Sequence, residues 1–151
     1  MTKPQVFLGG SCNPTTWRFD TAIPQLERAG ITYYNPQVDD WKPELVEIEA
    51  RAKNEADTLL IVIDAQTRAL ASIVEAVENI VRESRVALVV DDIVDGTVIS
   101  GQTVTGGELK DLNRARAYLR DVASRYNVRE YADVADACAA IVQYYTSTGV
   151  R

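Results

Sequence analysis

The unbroken apolar run from Thr58 to Ile63, TLLIVI, constrains this chain more than any other stretch. A strand with one wet face alternates polar and apolar residues, so a β-branched run without alternation predicts a central parallel strand covered on both faces. Further short strands are expected at Gln5 to Leu8, Ile31 to Tyr34, Arg85 to Val90 and Val128 to Tyr131. Between them lie segments of helical length: about Thr16 to Ala29, ended by Gly30; Glu44 to Ala56; the stretch running through Glu75 to Ile80; Thr105 to about Tyr126; and a last helix capped by Asp133. This βαβαβαβαβα alternation predicts an α/β doubly wound domain over residues 1–151. Its five-stranded parallel sheet takes the order 2-1-3-4-5, with helices on both faces. Strands one and three are then neighbours at the switch point. The loop after each, Gly9-Gly10-Ser11 and Asp64 to Arg68, faces the other across one crevice, where open α/β sheets bind ligands.

Histidine is absent from all 151 residues. That removes the commonest general base and metal ligand and excludes Ser-His-Asp and Cys-His mechanisms, so any catalysis falls to carboxylates, Tyr, Lys or Cys. The net charge is -6, with 16 Lys+Arg scattered among 22 Asp+Glu, which argues against a nucleic-acid polymer as partner. Cys12 and Cys138 fit no CxxC or Cys/His spacing and read as isolated thiols of a reducing compartment. The start, MTKPQVFLGG, is too short and polar for a signal peptide, and no apolar run approaches the roughly 20 residues that span a bilayer. A cytoplasmic protein is expected, with no membrane contact.

Each loop at a carboxyl strand end carries residues with two readings. Gly9, Gly10 and Ser11 form either a tight strand-to-helix turn or a surface that a ligand approaches closely. In Asn35-Pro36-Gln37-Val38-Asp39-Asp40-Trp41 the carboxylates could accept hydroxyl hydrogen bonds and Trp41 could stack on a base or sugar; otherwise Asp40 opens a helix and Trp41 anchors it. Arg68 is an exposed loop charge or a fork for phosphate or carboxylate. Ser72-Ile-Val-Glu75 matches a capping box, which would commit Glu75 to its own helix. Alternatively Glu75, near the first turn, is an ionised carboxylate poised as a nucleophile. Thr105-Gly-Gly-Glu108 is a second capping-box pattern. The stretch from Asp95 to Gly107 is long for a loop and reads as a lid or an interface.

VFLGGS after the start, NPQVDDW after the second strand, a helix with Glu49 and Lys53, and LLIVIDAQTRALASIVEA resemble the nucleoside 2-deoxyribosyltransferase-like proteins, relatives of the nucleoside 2-deoxyribosyltransferases and nucleotide N-glycoside hydrolases. The resemblance covers roughly residues 5 to 92. It implies a flavodoxin-like sheet and cleavage or transfer of the N-glycosidic bond of a small nucleoside or nucleotide, without cofactor or metal. It makes Glu75 the nucleophile that holds a covalent glycosyl intermediate, places Gly9, Gly10 and Ser11 along the sugar or its 5′ end, and makes Asp57 the nearest match to an aspartate that partners the nucleophile. Arg68 and Ser72 then shape the pocket, and Asp57, Asp64 or Asp39 assists the leaving base. The chain departs from the deoxyribosyltransferases, which carry an acidic-Gly-Thr segment and a Glu-Leu/Ile-Gly end, in having Thr67-Arg68-Ala69 and Glu75-Ala76. A non-catalytic nucleotide-binding module of the same fold is the alternative. Relatives assemble as dimers or larger, so a homodimer or higher homo-oligomer is implied, with Tyr144 and Tyr145 as an exposed aromatic pair that joins the interface or closes the core.

Overall fold

The computed structural model describes residues 3–149. Four strands, β1 (Val6–Gly10), β2 (Tyr33–Tyr34), β3 (Thr58–Ile63) and β4 (Val86–Val90), form a parallel sheet in the order β2-β1-β3-β4. β3 covers the whole apolar run, and all six of its residues are buried. Its side chains alternate between two cores: Leu60 and Val62 pack on one face, and Leu59, Ile61 and Ile63 on the other. Burying each aliphatic side chain completely is worth roughly 1.5–3 kcal/mol, so a strand that buries both faces holds the sheet together.

The first face is covered by α1 (Ile23–Arg28), entered through a π-helical turn at Arg18–Ala22, and by α5 (Val134–Thr148). The second is covered by α2 (Leu45–Glu55), α3 (Leu70–Val81) and α4 (Gly106–Arg125). Asp133 caps α5 as expected, its Oδ1 accepting from Asp136 N at 2.8 Å. Tyr145 is buried rather than exposed, with its hydroxyl 2.9 Å from Gln5 O and 3.0 Å from Thr58 Oγ1, so it closes the core.

The expected fifth strand is not formed. Val128 to Tyr131 meets β4 only at a parallel bridge between Leu88 and Glu130. Arg120 occupies the place where further ladder would lie: its Nη2 donates to Val90 O at 2.7 Å, and its Nε lies 3.1 and 3.2 Å from the two carboxylate oxygens of Glu130. A side chain thus satisfies the edge carbonyl of β4 that a strand would have met.

The long 95–107 segment folds into a hairpin of β5 (Val98–Ile99) and β6 (Gln102–Thr103), turned at Ser100 and Gly101, both with positive φ as a two-residue type I′ turn requires. Ile93, Ile99, Val104 and Leu112 give it a small core of its own against α4.

Helix α3 ends with Glu83 in the left-handed region at φ 61, its N–H donating to Ile80 O at 3.0 Å and the next N–H to Asn79 O at 3.1 Å. A side chain with a Cβ is disfavoured there by roughly 1–2 kcal/mol. Glu83→Gly is therefore expected to raise stability by about 1 kcal/mol, read as a higher urea midpoint at unchanged slope. An unchanged or lower midpoint would refute it.

Candidate active site

The loop after β1 is organised by a close approach. Gly10 has φ +107, and a Cβ there would lie 2.0 Å from Val62 O, so the residue must be glycine for the sheet's sake. Gly9 is different: a Cβ would make ordinary contact, 3.4 Å from the Phe7 ring. Ser11 is buried and pins the two loops of the switch point together. Its N–H donates to Val62 O at 2.8 Å, and its hydroxyl oxygen accepts from Asp64 N at 3.1 Å and Thr67 Oγ1 at 2.9 Å.

Two fully buried arginines hold these loops from opposite faces. Arg18 donates to the carbonyls of Leu8 at 3.1 Å and Ser11 at 2.7 Å, with its guanidinium carbon 4.2 Å from the centre of the Trp17 ring. Arg116 donates to the carbonyls of Asp64 at 2.8 Å, Thr67 at 3.0 Å and Asp91 at 2.8 Å, with longer bonds to those of Arg68 and Leu112. A guanidinium presents five donors in a fixed fork, which suits a cluster of carbonyls at the strand ends.

Helix α3 begins at Leu70, after Ala69 in the left-handed region at φ 59. Ser72 is consequently inside the helix rather than at its cap, and the capping-box reading of Ser72 and Glu75 fails. Glu75 falls in the second turn, one turn later than expected, where the helix dipole has weakened. Its carboxylate turns toward α2 and accepts a 3.0 Å hydrogen bond from Lys53 Nζ. Lys53 is held in turn over the Phe7 ring, its Nζ 5.4 Å from the ring centre.

Glu75 and Lys53 line an open cleft of about 400 Å³ above the carboxyl end of β1. The cleft brings together Gly9, Gly10, Trp41, Ser72 and Glu75 of the expected residues. Trp41 is 57% exposed on its rim, which removes the reading of it as a buried anchor. Glu49 also lines the cleft and was not singled out as a site residue from the sequence. Its desolvation, and then the nearby charge of Glu75, push its carboxyl above the usual range. The legible signal was its spacing: four residues before Lys53, it lies on the same side of α2.

Other expected residues do not reach the cleft. Asp57 precedes β3 at the amino edge of the sheet, roughly 20 Å from the carboxyl ends at ~3.3 Å per residue. Asp64 is buried, and its Oδ1 accepts from Gln66 N at 3.0 Å, a turn that shapes its own loop. Burial raises its pKa. Asn35 likewise closes a local turn, its Oδ1 accepting from Gln37 N at 2.9 Å. Asp39 is exposed and outside the lining. Arg68 is a fork, but for a carboxylate of this chain: Nε donates to Glu108 Oε1 at 2.7 Å and Nη2 to Gln102 Oε1 at 3.0 Å, tying the hairpin to the loop. Thr105 occupies the cap position of α4 as its pattern predicts, yet its hydroxyl donates to Asp95 Oδ1 at 2.7 Å and Glu108 accepts from Arg68, so neither capping-box side chain closes the box.

Among the described residues no group of three or more cysteines or carboxylates is placed to hold a metal ion, and no helix is long and apolar enough to cross a membrane. No curated protein matches the chain. The model of a family described as nucleoside 2-deoxyribosyltransferase like matches residues 3–93, more than half of the chain and the part that supplies every residue lining the Glu75 cleft. The chain belongs to the nucleoside 2-deoxyribosyltransferase-like family.

Proposed function

We propose that this chain, taken as one domain over residues 1–151, cleaves or transfers the N-glycosidic bond of a nucleoside or nucleotide, with Glu75 as nucleophile. The observation that carries the reading is the pairing of two unlike carboxyls on one cleft: Glu75, half exposed and held by Lys53, and Glu49, which desolvation favours in its protonated form. A carboxylate paired with a lysine, beside a carboxyl that burial helps to keep protonated, supplies one group to attack and one to give a proton.

In this mechanism a Glu75 oxygen bonds to the anomeric carbon as the C–N bond breaks, through an oxocarbenium-like state that the carboxylate stabilises. The bonding pair leaves on the base nitrogen, which takes the proton of Glu49. Water, or the nitrogen of a second base, then attacks the anomeric carbon, releases the Glu75 carboxylate and returns a proton to Glu49. Configuration is retained. Trp41 offers a face to base or sugar, and Ser72 and the backbone at Gly9 and Gly10 border the pocket. Asp64 and Arg68 support its loop from outside.

The Lys53–Glu75 pair favours a second reading, because a carboxylate neutralised by a lysine is a weaker nucleophile. A binding module would keep the cleft and turn nothing over. The deciding experiment incubates the protein with a panel of nucleosides and nucleotides, with and without free bases, and separates the products by chromatography. Released base or exchanged nucleoside supports the enzyme; saturable binding without product supports the module.

The raised Glu49 pKa sets a pH dependence. An acid is competent while protonated, so the contribution of Glu49 is full below that pKa and is lost as pH rises through it. The alkaline limb of kcat/KM is expected above the ordinary glutamate value of about 4.3, and Glu49→Gln is expected to flatten it. A limb that persists in Glu49→Gln assigns the proton to another group.

A further inference from the structure

A second cavity, of about 430 Å³, lies at the opposite edge of the sheet, where the strands begin. It exists because the fifth strand is cut to one bridge, leaving a hollow between the start of β4 and residues 127–129. In a parallel strand alternate residues point their backbone groups to either neighbour. Leu88 bonds outward to Arg129 O and Tyr131 N, whereas Arg85 O bonds inward to β3. Val86 therefore points its N–H and C=O outward into the hollow, and neither has a hydrogen-bond partner among the described residues.

Two arginines flank this hollow on the α5 side. Arg85 lies over the Tyr144 ring at 4.0 Å, and Arg129 over the Tyr131 ring at 4.9 Å. Tyr126 lines the cavity as well. Neither Arg85 nor Arg129 takes part in an ion pair or a side-chain hydrogen bond among the described residues, although the chain carries a net charge of -6. Stacking on tyrosine orients a guanidinium plane while leaving its N–H groups free. Two oriented forks with open donors, an unpartnered main-chain N–H and tyrosine faces, around a volume within the ordinary range for small ligands, complement a phosphate that carries a flat ring.

We infer that this amino-edge cavity is a binding site for a phosphorylated small molecule of mononucleotide size, separate from the Glu75 cleft. The phosphate bridges Arg85 and Arg129, and the ring lies against the tyrosines. The inference is independent of the proposed reaction.

The test is a titration of the isotopically labelled full chain with adenosine 5′-monophosphate, and separately with inorganic pyrophosphate, read by NMR at the Nε–H of Arg85 and Arg129 and the amide of Val86. Saturable shifts at these three positions are expected, with pyrophosphate competing. Arg85→Gln and Arg129→Gln should each weaken binding roughly tenfold or more, the scale for a hydrogen bond to a charged group. No shift at these positions, shifts confined to residues of the Glu75 cleft, or unchanged affinity in the folded double variant would overturn the assignment. Were a variant to lose its fold, the titration of the unaltered chain still decides, because it reads the two arginines directly.

Discussion

Glu75→Gln is expected to leave the folded chain almost as stable as before and to lower turnover of any nucleoside or nucleotide substrate by roughly a thousandfold or more, the scale seen when a covalent nucleophile is removed. The two halves of that expectation have different causes. Glu75 is about half exposed and forms its ion pair with Lys53, so losing the pair costs at most ~1 kcal/mol, and the glutamine oxygen still accepts from Lys53 Nζ. The amide has no charge with which to stabilise an oxocarbenium ion and forms no stable ester with the anomeric carbon. Comparison of thermal melting with turnover checks both. Activity within a few-fold of the unaltered chain would remove Glu75 from the mechanism, and a collapse in melting temperature would show that the Lys53 contact is structural.

How the cleft arises explains what the sequence could convey. Thr58 to Ile63 identified itself because burial on both faces leaves a continuous apolar run, and the neighbours of β3 followed from helical crossovers. Val128 to Tyr131 fits the strand-helix alternation as a fifth strand without an apolar run of its own, but pairing depends on what the neighbouring edge offers, and Arg120 donates to the Val90 carbonyl. Local patterns also misled at α3. S-x-x-E is a capping box only if Ser72 is the cap, and the cap is Ala69, in a left-handed turn three residues earlier. Arg116 is legible in the sequence. Leu112, Arg116, Leu119 and Ala123 are the buried residues of α4, so a charge stood on the apolar stripe, a sign of a buried guanidinium with many acceptors. Asp57 shows the limit of carrying a role across by sequence position, since the direction of β3 puts it at the edge of the sheet away from Glu75.

The loop after β1 gives the largest expected effect on stability, and adjacent glycines supply the control. Gly10→Ala places a Cβ 2.0 Å from Val62 O and 2.7 Å from Val62 N and C, backbone atoms of the central strand that cannot turn aside as a side chain would. Relief requires β1 and β3 to separate at Gly10, where they pair with Val62, and strains the Ser11 N–H bond to Val62 O that fixes the loop. The positive φ of 107° adds a backbone penalty of its own. A loss of about 4 kcal/mol or more is expected, a large share of the ~5–15 kcal/mol that holds a domain folded. Gly9→Ala adds the same methyl group one residue earlier, at ordinary φ and 3.4 Å from the Phe7 ring, and is expected to cost less than ~1 kcal/mol while narrowing the mouth of the cleft. Urea unfolding of the two variants reads the difference. Equal losses would mean that the chain needs glycine here for flexibility in the loop, whereas a large loss at Gly10 alone assigns that glycine to the packing of β1 on β3 and leaves Gly9 as backbone that lines the cleft.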